Sequence, residues 1–107
     1  MKNLKTRAIY FELENAVNNT SDFVEKVQTV KMISNWVAEH LGYDIHEAEA
    51  YARAHIANIV RENEVAKMIN RIETDLIKSD INENNDLLIE SSSNLLKEIS
   101  AKLNNSQ

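Results

Sequence analysis

The sequence predicts an all-α fold, a small bundle of four to five helices, on three observations. It holds no proline and a single glycine, so the residues that tight turns, hairpins and sandwiches demand are almost wholly missing. Apolar side chains recur at spacings of three and four in successive segments, the period of a helix that buries one face. At 107 residues the chain can build one modest core, which a second subunit would enlarge. The expected organisation is one helical domain over residues 1–103 followed by a disordered tail over 104–107.

The first helix is expected over about Leu4 to Asn18, with Leu4, Ala8 and Phe11 on one face and Ile9, Leu13 and Ala16 on another, so that it is well buried or touches two neighbours. Asn18, Asn19 and Thr20 interrupt it, and Asp22 with Glu25 three positions later marks a new helix start. Phe23, Val27, Val30, Ile33, Val37 and Leu41 form the clearest amphipathic stripe in the chain, with Met32 and Trp36 on its flank. Gly42 stands where a left-handed residue ends a helix, and Asp44 with Glu47 supplies the next N-cap, giving a glycine-turn helical corner. Beyond it Ala48, Tyr51, Ala52, His55, Ile56 and Ile59 share a face, whereas Val65, Met68, Ile69, Ile72 and Leu76 centre roughly a third of a turn away. With no proline, glycine or clear cap between them, they read as one long third helix that changes partners midway. The polar stretch from Lys78 to Asp86 is a link. A C-terminal docking helix follows from about Asp86 to Leu103, with Ile89, Leu96, Ile99 and Leu103 as its inner stripe, Ser92 replacing an apolar group, and Leu88 and Leu95 on the flank.

Composition narrows the function. Cysteine is absent, which excludes disulfides, thiolate metal sites and cysteine nucleophiles and fits a reducing, cytoplasmic setting. The start MKNLK is not followed by the apolar run of a signal peptide, and no stretch approaches membrane-spanning length. Net charge is −5, with residues 63–107 carrying eight acidic against five basic side chains. That balance disfavours a non-specific hold on phosphate backbones and favours protein partners.

The stretch VAEHLGYDIHEAEAYAR places Ala38 four residues before Gly42, with Val37, Leu41, Tyr43, Ala48 and Tyr51 at apolar positions around the turn. In this it resembles a DNA-binding helix-turn-helix. The resemblance would make the helix after Gly42 the reader, with Lys26, Lys31, Arg53 and Arg61 as candidate nucleic-acid contacts. Its groove side, however, would present Asp44, His46, Glu47, Glu49 and Arg53, where most reading helices offer donors and positive charge, and three carboxylates facing phosphate are a poor arrangement.

No metal is expected: His46 and His55 lie nine apart and point to opposite sides of a helix, and His55 reads as a core histidine. No cofactor or catalytic residue is expected either, because no phosphate-binding loop or nucleophile elbow is present and the carboxylate pairs two apart diverge. The sequence therefore predicts a non-enzymatic protein–protein interaction factor, a small cytoplasmic adaptor, inhibitor, immunity or chaperone-like protein, self-associating as a dimer. The alternative is a helix-turn-helix regulator or co-regulator acting on DNA or on a DNA-binding partner. Partner contact is assigned to Met32, Trp36, Leu88 and Leu95, with Met32 and Trp36 expected partly exposed in the monomer.

Overall fold

The computed structural model describes residues 4–79 and 85–105. Among these the elements are α1 (Leu4–Asn18), α2 (Phe23–His40), α3 (Ile45–Glu62), α4 (Val65–Lys78) and α5 (Asn85–Asn105), with no strand. The all-α bundle is thus as the apolar periodicity requires. No helix among the described residues is long and apolar enough to cross a membrane. Residues 80–84 of the link and 106–107 of the tail lie outside the described residues, and α5 runs to Asn105, past the expected end of the domain.

Local chemistry sets the helix ends. Asp22 caps α2 by accepting from the Val24 N–H at 2.7 Å. At the other end Gly42 takes φ +76°. The Gly42 N–H then donates to Glu39 O at 3.1 Å and the Tyr43 N–H to Ala38 O at 3.0 Å, the paired bonds of a Schellman ending. The capping box follows at once: the Glu47 N–H donates to Asp44 Oδ1 at 2.8 Å, and the Asp44 N–H to Glu47 Oε1 at 3.0 Å. A Cβ on Gly42 would meet nothing within 4 Å, so Gly42→Ala carries only the backbone penalty. The expected loss is about 1–2 kcal/mol in a urea melt, and an unchanged midpoint would contradict the capping role.

The corner does not throw α3 out at an angle. Lys26 Nζ donates to Asn63 Oδ1 at 3.2 Å, joining the far ends of α2 and α3, so the two helices run antiparallel in contact along their length. Nor is the third helix continuous. Asn63 takes a left-handed conformation (φ 52°, ψ 33°) and its N–H bonds Ile59 O at 2.9 Å, ending α3 before α4 begins. Asparagine tolerates that region better than other non-glycine residues, and Arg61 in the last turn suits the helix dipole.

The core is built from all five helices. α1 touches α2, α4 and α5, and buries Ile9, Tyr10, Leu13 and Val17. Its other face is open, with Phe11 64 % exposed, so α1 has one buried face rather than two. α2 contributes Val30, Ile33, Trp36 and Val37, while Phe23 at its start points outward. α3 buries Ala52, His55 and Ile59, and α4 buries Val65, Met68, Ile69, Ile72 and Leu76, the two faces expected for that region.

α5 is rotated from its expected setting. Its deepest positions are Leu88, Ser92, Leu95 and Ile99, with Ile89, Leu96 and Leu103 half-buried at the edge. Ser92 enters the core because its hydroxyl is satisfied locally, donating to Ile89 O at 2.8 Å.

Candidate functional site

Three of the four residues assigned to a partner turn out to be interior. Trp36 is 8 % exposed, and Leu88 and Leu95 are buried in the same core, with Trp36 and Leu95 reaching the surface only as part of a groove beside Met32. Met32 is half-buried against them. Trp36 is more buried than expected because α5 lies along α2, which gives it both apolar cover and a partner for its polar edge. Trp36 Nε1–H donates to Ser91 Oγ at 2.6 Å, and His40 Nε2 lies 2.8 Å from the same oxygen. The Trp36 and His40 rings meet edge-on with centroids 4.7 Å apart. This joint clamps the end of α2 to the middle of α5.

A second polar cluster sits between α3 and α4. Tyr51 Oη–H donates to Asp75 Oδ2 at 2.7 Å, and the ring of His55 stands edge-on to Tyr51 at 4.5 Å. The hydrogen bond and burial raise the Tyr51 phenol far above its ordinary range. His55 is the core histidine expected, although its Nδ1 is buried without a hydrogen-bond partner. Among the described residues no group of three or more potential ligands is arranged to hold a metal ion.

Burial lowers the pKa of both His40 and His55, opposed at His40 by Glu39 and at His55 by Asp75, with Arg71 adding to the lowering there. Each ring is therefore neutral in the fold more readily than in the unfolded chain, whose histidines titrate near 6.5. The resulting stability is complete above that value and is lost as pH falls below it toward the lowered folded values. Melting temperature is expected to drop between about pH 7.5 and about pH 5.5. The double variant H40Q/H55F should show a flatter profile over the same range, and an equally steep one would refute the assignment.

The open surface lies elsewhere, on the outer side of the α2/α3 pair. A groove of about 750 Å³ runs between these helices, floored by Val27, Ala48, Ala52 and Ile56 and rimmed by Lys31, Asn35, Glu39, Tyr43, Asp44, Glu49 and Arg53. Ile45 lines it at the corner end and is 70 % exposed. At the opposite end Phe23, Val24 and Val60 are also exposed. The candidate nucleic-acid residues are distributed around this face and largely engaged. Lys26 is bonded to Asn63, Arg53 pairs with Glu49 at 4.0 Å, and Arg61 meets Asn58 at 2.7 Å and Glu62 at 3.9 Å. The helices of a DNA-reading helix-turn-helix cross at roughly 90–120°, which frees the second to enter a groove. Antiparallel contact along α2 and α3 leaves no such free reader.

A search of the chain against protein-family models matches ATPase inhibitor subunit zeta over residues 1–102. The chain belongs to the ATPase inhibitor subunit zeta family. Neither the curated proteins nor the solved structures gave a match. Zeta-family membership makes this a small inhibitor-type protein, regulatory rather than catalytic, with a protein as its partner. Sequence reasoning reached the inhibitor class among several but missed the exposed apolar groove. Periodicity gave no signal of it, because Ile45 falls on the same helical stripe as Ala52 and Ile56, the face already assigned to the core.

Proposed function

We propose that the chain inhibits an ATPase by docking on it as a folded protein, with no catalytic step of its own. The observation that carries this reading is the family match over residues 1–102, nearly the whole chain. Its acidic surface and the exposed apolar side chains of α2 and α3 support it, because both suit protein recognition better than nucleic acid. One copy suffices for this role. The apolar stripes of α4 and α5 are buried inside the fold. The test is to titrate the purified chain into the ATPase of the same cell while following ATP hydrolysis. A saturable fall in rate is expected, with co-elution of chain and enzyme. An unchanged rate together with separate elution would overturn the proposal. Light scattering of the free chain should give the mass of one copy.

A further inference from the structure

The outer side of the α2/α3 pair has the shape of a docking trough. Along α3, Ile45, Ala48, Ala52 and Ile56 follow one another at helical spacing, and along α2 Val27, Lys31, Asn35 and Glu39 form the other side. The lining runs from Val27 to Glu39 on α2 and from Ile45 to Ile56 on α3, so the line extends for about 18 Å. Ala48 and Ala52 keep the floor low between the larger walls, leaving space rather than a flat surface.

The walls decide what shape of occupant fits. Both are α-helices whose interior N–H and C=O groups are already bonded within the helix, so the trough cannot extend a β-strand. Side chains spaced by threes and fours along a concave apolar line match the apolar face of another helix.

The charges decide its character. At the corner end Glu39 and Asp44 line the trough and are exposed, with the Asp44 carboxylate accepting the Glu47 N–H, whereas the basic lining residues Lys31 and Arg53 lie farther along. Midway, Glu49 and Arg53 neutralise each other. The corner end is therefore the negative end of the trough. A second copy of a chain with net charge −5 would approach against that charge.

We infer that the trough receives an amphipathic helix of the ATPase, apolar on the side that enters and carrying lysine or arginine at the end that lies over Gly42. The inference rests on the inhibitor reading for the identity of the partner. It assigns a surface that the family match does not.

The experiment places a photo-reactive phenylalanine derivative at Ile45, at Ile56 and, as a control, at Ala66 on the exposed side of α4. Each chain is irradiated in complex with the ATPase, and the cross-linked segment is sequenced. Ile45 and Ile56 should capture one helical segment with apolar residues three and four apart, its basic end nearest Ile45, and Ala66 should capture little. In parallel, I45E alters an exposed position of the lining and should fold as the parent does while binding the ATPase at least about tenfold more weakly.

Capture of a second copy of the chain, capture of an acidic or non-helical segment, or equal capture from Ala66 would overturn the inference. So would inhibition by I45E at the parent concentration. Failure of the inhibitor reading looks different: the parent would bind the ATPase and cross-link as described, yet leave its rate unchanged.

Discussion

Trp36→Ala is expected to destabilise the chain by about 3–5 kcal/mol, the cost of removing a large buried aromatic side chain from a packed core. A domain of this size holds roughly 5–15 kcal/mol in total, so the variant should lie close to unfolding at room temperature. The magnitude follows from position. Trp36 is 8 % exposed, lies in the core cluster, and bonds Ser91 across the α2–α5 contact. Trp36→Phe separates the two contributions: it keeps most of the ring's volume and removes the N–H donor, so it should cost nearer 1 kcal/mol. Urea melts of the two variants check the result. Equal and small losses would mean that Trp36 is a surface residue after all, as its flank position in the sequence suggested.

Leu13→Ala should be comparably severe, at about 2–5 kcal/mol. Leu13 is completely buried on α1, the helix that touches α2, α4 and α5 together. A cavity there faces several neighbours that cannot all move inward. Phe11→Ala, two positions away on the open face, should change stability by no more than about 0.5 kcal/mol, despite removing more carbon. Reversal of that order in thermal melts would show that α1 presents the other face to the core.

The parts of the fold that local chemistry dictates were readable from the sequence. Gly42, Asp44 and Glu47 announce a helix ending and a helix start within six residues, and both form as the chemistry requires. The apolar set of α4 is equally plain, since Val65, Met68, Ile69, Ile72 and Leu76 recur with a helical period and all are buried. What was not readable depends on contacts between distant segments. Trp36 and Leu95 sit beside the obvious stripes, and only the placement of α5 along α2 turns them inward. Asn63 gave a faint signal, an asparagine after Arg61 at the point where the apolar face rotates, but the preference of asparagine for the left-handed region is too weak to outweigh a helical pattern on both sides. The trough was hidden for a related reason. It belongs to neither helix alone, and an exposed isoleucine is unremarked until a second helix is seen to complete the wall.

The left-handed turn at Asn63 has a consequence for the shape of the whole molecule. Were residues 45–78 one helix, their 34 residues would form a rod of about 51 Å, whereas the molecule's longest dimension is 37 Å. The buried face of α4 would then point beyond the bundle with nothing of its own chain to cover it. The sign of one backbone angle thus separates a fold that covers its own α4 from an extended form whose α4 and α5 could be satisfied only by exchange with another copy.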